Sequence, residues 1–499
     1  MPFVFSLLVL NIFSESTLLL KKIATHHCIS KIFVLHWEMV KNYAPNIFEH
    51  ETLVCADIST VFEWHEREGA LFRLSPPWEN ISLIRRDEGI QTGAKCDIRL
   101  KTGPIPMVWK AEHIGYEKDS FFKDRQNKGP FAKWEHSHYF AEEDGITTIK
   151  DYVEYKLPLH PLSTAAAGNF VRNKLEKMFR YRENVCKNDI EFYKEYSPAP
   201  KTIVVSGSSG VVGSALIPFL QTQGHKIIRL LRDRSKLCIG DVCWNPNAGI
   251  IEDKFENADA VIHLTGEPIG DGKWTDEKKR EIIDSRVRST ALLAETLAKM
   301  KNPPKTLICA SAIGYYGAHG DEVITEAEKA GSHDFIAKVC KKWEEAAKPA
   351  IDKGIRVVFL RIGVVLTPAG GALQRMLTPF SMGLGPVFGS GKQYLSWVAM
   401  DDVLYAVGHL LEHKEIAGAV NLTSPNAMTS GEFSDTLAHY LKKPRFINIP
   451  PYVIMQLYGQ MGREVLLSGA NVFPEKLIKS GFRFRYPDLT GAFRHLMGG

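Results

Sequence analysis

The sequence predicts two domains of different class. From about residue 201 it reads as an α/β doubly wound parallel sheet with a small C-terminal substrate lobe, and before that as an α+β domain with a half-open sheet closed by a long helix. Three observations carry this. A glycine-rich turn, Ser206-Gly207-Ser208-Ser209-Gly210-Val211-Val212-Gly213, stands between the apolar run Ile203-Val204-Val205 and an amphipathic segment. Nearly continuous apolar runs then alternate with helical patterns, the mark of parallel strands covered on both faces. Finally, Ser197-Pro198-Ala199-Pro200 is a stiff polar break. At 499 residues the chain exceeds what one core usually serves.

Residues 1–40 form an extension of their own. Phe3 to Phe13 is apolar but far shorter than the roughly 20 residues that cross a bilayer. It lacks the basic start of a secretory signal, the first lysines being Lys21 and Lys22. Two readings stand: Met39 as the true first residue, favoured by charge placement and length, or a membrane-associating segment. Residues 41–197 make the front domain. Lys95 to Leu100 and Thr147 to Tyr155 alternate as strands do. Phe170 to Tyr196 then carries Phe170, Leu175, Met178, Phe179, Val185 and Ile190 near helical spacing.

After the break, Ala215 to Gln223 is the helix behind the glycine turn. Lys226 to Leu231, Ala260 to Leu264, Thr306 to Ala310 and Arg356 to Leu360 read as buried parallel strands. Lys278 to Met300 and Phe335 to Ile351 read as helices between them. Past Leu366 the alternation loosens into Gly- and Pro-rich loops, where such folds build a substrate lobe. This domain spans 201–445, and a C-terminal module spans 446–499.

Composition excludes several classes. Apolar residues are 44% and charged residues 24% of the chain, with a net charge of +5. No basic run alternates with aromatics, so no nucleic-acid partner is expected. The eight cysteines show no paired metal spacing, and reduced thiols in a cytoplasmic protein are the simplest reading. His136 and His138 alternate on a strand and share a face, but no third ligand is evident and no metal is expected.

The spacing Gly207, Gly210, Gly213 resembles the extended short-chain dehydrogenase/reductases. More specific matches are Ala260-Val261-Ile262-His263-Leu264-Thr265-Gly266-Glu267-Pro268-Ile269, Trp274, Ser285-Arg286, Gly314-Tyr315-Tyr316-Gly317, Trp343-Glu344, Leu360 to Leu366, Gly389-Ser390-Gly391 and Gly481 to Pro487. From about 201 to 497 the chain resembles the atypical 39U-like NAD-dependent epimerase/dehydratase subgroup, with that group's small C-terminal module and a Rossmann-type sheet. Ser75-Pro76-Pro77-Trp78-Glu79, Gly129 to His136 and Asp151 to Tyr155 resemble a START-like (SRPBCC, helix-grip) domain. That resemblance implies a curved antiparallel sheet around a long helix, enclosing an apolar cavity.

A strand, a glycine turn and a helix N-terminus suit a dinucleotide pyrophosphate. The second strand of the unit ends Arg229-Leu230-Leu231-Arg232, where an NAD-selective site puts an acid. A guanidinium there suits a 2′-phosphate, so NADP is expected rather than NAD, although Asp233 follows directly. The cofactor loop is Gly207, Ser208, Ser209, Gly210, Val211, Val212 and Gly213. The resemblance adds Leu231, Arg232, His263, Leu264, Glu281, Arg286 and Val365 to the cofactor set. Glu281 fits it only by orienting Arg286 or a ribose hydroxyl.

The chemistry is less complete. Ordinary superfamily members use a Tyr with a Lys four residues on, on one helical face, plus a Ser. Counting back from Glu344 puts Ile336 and Cys340 at the Tyr and Lys positions. Aligning on Tyr316-Gly317 puts Ala312 at the Ser position, with Ser311 one place early. Ser311, Tyr315 and Tyr316 are the remaining catalytic candidates. Lys392, Ser396, Trp397, Asp401 and Asp402 are candidate polar contacts of the substrate lobe.

The expected function is an NADP-binding, epimerase-like oxidoreductase acting on a small molecule, with a fused domain for an apolar ligand. Its alternatives are a non-catalytic NADP-binding redox sensor and a lipid-like ligand carrier.

Overall fold

The computed structural model describes residues 45–102, 105–159, 162–252 and 255–499. The N-terminal extension and the Met39 question lie outside the described residues. The chain divides into two compact units between Lys194 and Glu195. No helix among the described residues is long and apolar enough to cross a membrane.

The first unit begins with strand β1 (Asn46–Val54) and helices α1 (Ile58–Glu66) and α2 (Ala70–Arg73). Strands β2 (Asn80–Arg86), β3 (Lys95–Thr102), β4 (Ile105–Glu117), β5 (Phe121–Lys128), β6 (Lys133–Glu143) and β7 (Ile146–Lys156) follow, then helix α3 (Leu162–Tyr196). The seven strands form one sheet in the order β1-β7-β6-β5-β4-β3-β2, antiparallel throughout. In β7 the alternation of Thr147, Ile149, Asp151, Val153 and Tyr155 buries one face only. Helix α3, 35 residues and so about 52 Å long, covers that face. Its Val171, Leu175 and Phe179 pack with Phe48, Trp134 and Val153. Its Tyr181, Val185, Cys186 and Ile190 pack with Phe62, Phe122 and Phe140. The helix starts eight residues before the expected Phe170. The run Ala165-Ala166-Ala167 favours helix by propensity.

The second unit is built on strands β8 (Thr202–Ser206), β9 (Lys226–Leu231), β10 (Val242–Asn245), β11 (Ile250–Ile251), β12 (Ala260–His263), β13 (Thr306–Ala312), β14 (Arg356–Ile362) and β15 (Gly418–Leu422). Their order is β11-β10-β9-β8-β12-β13-β14-β15, parallel except for the β10–β11 edge. Helix α4 (Val211–Thr222) follows β8, and helix α5 (Asp276–Lys299) and helix α6 (Phe335–Glu345) flank β13 in sequence. The expected helix Phe335–Ile351 ends at Glu345 and restarts at Lys348. Pro349 suits a first helical turn and not an interior. The order reverses between β8, which runs on to β9, and β12, so the crevice at their C-terminal ends is the fold's natural binding place. The core beneath it joins Val204, Leu230, Val261, Leu293, Leu307 and Trp343.

Candidate functional site

The turn after β8 is shaped by close approach. Gly207 has φ +74°, and a Cβ there would lie 2.7 Å from the Leu264 carbonyl carbon at the end of β12. Any side chain would push the two central strands apart. A Cβ on Gly213 would strike the Gly207 carbonyl oxygen, so α4 can sit against the turn only with hydrogen at that position. Gly210 caps α4 without a side-chain hydrogen bond. The first turn of the helix therefore offers its N–H groups to whatever anion lies at the crevice. Ser209, Gly210 and Val211 are exposed there, while Ser208 is buried.

Leu231 and Arg232 stand at the C-terminal end of β9. Asp233 is committed to its own turn. Its carboxylate caps a short helix, accepting from Ser235 N at 3.0 Å and Ser235 Oγ at 2.7 Å, with Lys236 Nζ at 3.3 Å. Those bonds hold its pKa below the ordinary carboxylate value. Arg229 pairs with Asp241 at 2.5 Å and Arg234 with Glu252 at 2.8 Å. Arg232, exposed, has no carboxylate partner among the described residues.

His263 closes β12 with its side chain fully buried. Its Nδ1 lies 2.6 Å from Ser206 Oγ, and its Nε2 lies 3.0 Å from Thr290 Oγ1 and 3.2 Å from Ser289 Oγ. Burial pulls its pKa down to about 3. The ring is a neutral clasp between β8, β12 and α5. Leu264 packs on the core edge.

Arg286, on α5, is half-buried and donates from Nη1 to the Ile282 carbonyl at 3.1 Å. Its guanidinium lies 5.0 Å from the Trp343 ring centroid and close over Gly266. No carboxylate pairs with it among the described residues, and burial lowers its pKa. A half-buried cation without a counterion favours an anion at the crevice. Glu281 is exposed and reaches Lys278 at 3.9 Å. It makes no bond to Arg286, which leaves a ribose hydroxyl as the partner it would orient. Val365 is partly buried on a short strand paired with Trp397–Ala399.

The catalytic candidates are bound into the fold. Ser311 Oγ donates to Glu344 Oε1 at 2.7 Å. Glu344 holds Arg361 through two bonds of 2.9 Å, and Arg361 donates to the Tyr316 hydroxyl at 3.0 Å. Tyr316 in turn donates to Asn421 Oδ1 at 2.6 Å. The Tyr316 ring is buried, and burial pushes its phenol up to about 12. Tyr315 lies against the Arg361 guanidinium, 3.4 Å from its ring centroid. Ser311 and Tyr316 are thus members of a buried ion-pair network, their hydroxyls engaged by Glu344, Arg361 and Asn421.

Ile336 and Cys340, with Ala312, lie in one apolar cluster with Trp274, Ile282, Val339 and Met461. Burial pushes the Cys340 thiol up to about 12. In the substrate lobe, Ser396 Oγ donates to the Ala470 carbonyl at 2.7 Å and accepts from Val472 N at 2.9 Å. Asp401 binds His495 at 2.5 Å, and Asp402 accepts from Arg485 N and Tyr486 N at 2.7 and 3.1 Å. Trp397 is fully buried. Ser396, Asp401 and Asp402 thus fasten the C-terminal module, and Lys392 is exposed.

The first unit contains a cavity of about 1040 Å³ between sheet and helix. Its walls are largely apolar, with Leu74, Trp109, Phe131, Trp134 and Met178 among them, and its polar lining includes His113, Asp124, His136, His138 and Arg182. Asp151 lies behind His136 and His138, 2.9 and 2.7 Å from them. Burial opposes its charge, but the two imidazoles outweigh burial and hold its pKa well below the ordinary value. Sequence spacing missed Asp124, which the β5–β6 register sets directly opposite His136.

A family model described as the NAD dependent epimerase/dehydratase family matches residues 203–422. A domain of unknown function, DUF1731, matches 449–496. An epimerase family protein of Mycobacterium bovis is 37% identical over 289 residues, 58% of this chain and 95% of that protein. The human epimerase family protein SDR39U1 is 31% identical over 297 residues, 59% of this chain and 99% of its own. Among solved structures, a nucleoside-diphosphate sugar epimerase from Corynebacterium glutamicum aligns over 90% of both chains, with TM-score 0.75 and 32% identity. Human SDR39U1 (isoform 2) with NADPH aligns over 59% of this chain and 98% of its own, with TM-score 0.55 and 31% identity.

Proposed function

The chain belongs to the NAD-dependent epimerase/dehydratase family, and from that premise we propose that its second unit binds NADP(H) without the tyrosine–lysine acid–base chemistry usual in such folds. The observation that carries the cofactor choice is the contrast at the end of β9. Arg232 is exposed without a carboxylate partner among the described residues, while Asp233, which would select a ribose hydroxyl, has its oxygens taken by Ser235 and Lys236. A 2′-phosphate satisfies Arg232 through charge-assisted hydrogen bonds. The glycine turn and the α4 N-terminus suit the pyrophosphate, and Arg286 adds a cation beside it. The NADPH named with the human relative's structure agrees with this reading.

NADPH, when bound, would offer a hydride, and this chain's residues would bind and orient it. At the positions counted as Ser, Tyr and Lys stand Ala312, Ile336 and Cys340, held in hydrocarbon, and Tyr316 is locked by Arg361 and Asn421. The reading favoured by that arrangement is a protein whose nucleotide occupancy, and not tyrosine-driven turnover of a small molecule, is the functional state. Unpaired thiols at the seven described cysteines suit a cytoplasmic setting.

Calorimetry with NADPH and NADH tests both parts. NADPH should bind at least tenfold tighter than NADH, and Arg232→Ala should erase that difference while sparing NADH. Equal affinities in the wild type would sink the cofactor assignment. Rapid NADPH oxidation with sugar nucleotides would sink the non-turnover reading.

The first unit supports a second reading of its own, a START-like helix-grip domain for an apolar ligand, on the strength of its apolar cavity. Native mass spectrometry of the purified full chain should then retain a lipid-sized adduct. Protein of bare mass after mild desolvation, from a preparation supplied with lipid, would count against it.

A further inference from the structure

The polar patch in the first unit's cavity has an order that packing does not require. Asp151 Oδ1 receives His136 Nε2 at 2.9 Å and His138 Nδ1 at 2.7 Å. A carboxylate oxygen accepts, so both of those nitrogens donate. In each neutral ring the other nitrogen then carries a lone pair. Those two lone-pair nitrogens, His136 Nδ1 and His138 Nε2, both face one oxygen, Asp124 Oδ2, at 3.7 and 3.9 Å. Three acceptors thus converge, and all three donor atoms lie within 4.8 Å of one another.

From this geometry we propose that Asp124, His136 and His138 form a binding site for a divalent first-row transition ion of the Zn²⁺ class, with its open coordination positions facing the apolar cavity. Bonds of about 2.1 Å to each of two donors span up to about 4.2 Å, so both gaps to Asp124 can be bridged without moving the sheet. Two imidazoles and one carboxylate favour a borderline transition ion over Mg²⁺ or Ca²⁺, which prefer all-oxygen sets. Asp151 is the outer partner such sites carry, fixing the tautomer and aim of both rings at once. Asp124 and Asp151 face the buried Arg182 as well, so with a divalent ion one positive charge is left over, which an anionic ligand in the cavity would offset.

A second observation points the same way. Nδ1 of His113, on β4, is buried with no hydrogen-bond partner among the described residues, and His113 sits opposite Asp124 in the β4–β5 register. It lines the same cavity. An ion with an open position there takes an oxygen of the ligand, a carboxylate or carbonyl on an otherwise apolar molecule. Nothing in this proposal depends on the nucleotide site.

The test uses the full chain, stripped of metal and titrated with Co²⁺. One equivalent should bind with a visible d–d absorption band, and Zn²⁺ should displace it. Asp124→Ala and His138→Ala should each weaken Co²⁺ binding at least 100-fold, and Asp151→Asn about 10- to 100-fold. Far-UV circular dichroism and hydrogen-exchange protection of the β6 and β7 amides report that the first unit of each variant has folded. A wild type without the band, or folded ligand variants that bind as the wild type does, would overturn the proposal. Where a variant does not fold, X-ray absorption of the wild type loaded with one equivalent of Zn²⁺ decides: two imidazole scatterers support the site, and none refutes it.

Discussion

The neutral clasp at His263 makes acid stability of the second unit a quantitative matter. Its ring is buried between β8, β12 and α5, and burial holds its pKa at about 3 against 6.5 for the ordinary group. The unfolded chain therefore takes up a proton below pH 6.5, while the folded chain declines one until about pH 3. The folded pKa is depressed, so this stability is fully present above pH 6.5 and is lost as the pH falls through that window. Each unit corresponds to 1.36 kcal/mol, so by pH 5 the loss from this group is about 2 kcal/mol. Hydrogen exchange of the β8 and β12 amides at pH 7 and pH 5, corrected for intrinsic rates, reads it directly. His409, also held down to about 4 by burial, adds a similar slope, so the comparison must be with His263→Asn. That variant is less stable at pH 7, and its pH 7 to pH 5 loss should be smaller than the wild type's by about 2 kcal/mol. Equal losses in the two proteins would refute the account of a neutral, proton-refusing ring.

Gly207→Ala should lower NADPH affinity at least tenfold and destabilise the second unit by about 1–3 kcal/mol, because φ +74° and the Leu264 backbone leave no room for a methyl group; calorimetry and urea melts measure the two effects. Tyr316→Phe removes one bond to Asn421 and one from Arg361, costing about 1–3 kcal/mol while leaving NADPH affinity within twofold. If nucleotide binding collapses in a folded Tyr316→Phe protein, the structural assignment of that phenol is wrong. Cys340, its thiol pushed up to about 12, should resist iodoacetamide at pH 8 in the native chain while exposed Cys55 and Cys238 react, as peptide mass mapping would show.

Much of the second unit is legible because its signals are local. Ile203-Val204-Val205 followed by Gly207, Gly210 and Gly213 fixes strand, turn and helix within one stretch of chain, and the β9 strand lies where its apolar run ends. β15 is harder, since Gly418-Ala419-Val420-Asn421-Leu422 is short and interrupted by Asn421, whose amide is used by the Phe473 carbonyl at 3.0 Å. The Ser311 ambiguity turns on a single step of strand register. Ser311 is spent on Glu344, while Ala312 joins Ile336 and Cys340, an outcome set by long-range packing. Asp124 was out of reach for a similar reason. It precedes His136 by a loop and a change of strand, and only the hairpin register brings the two side by side. The patch on the cavity wall is a product of pairing between strands, which periodicity along one strand does not encode.

The hydrocarbon around Ile336 and Cys340 bears on any attempt to endow this protein with dehydrogenase activity. Grafting Tyr at 336 and Lys at 340 would set an ammonium among Trp274, Ile282 and Met461, surroundings that drive an amine to shed its charge. A deprotonated lysine could not acidify the neighbouring phenol. The graft would first need a watered, hydroxyl-bearing floor, beginning with Ala312→Ser and smaller residues beneath it, so restoring the reaction is a problem of solvation before it is one of residue identity.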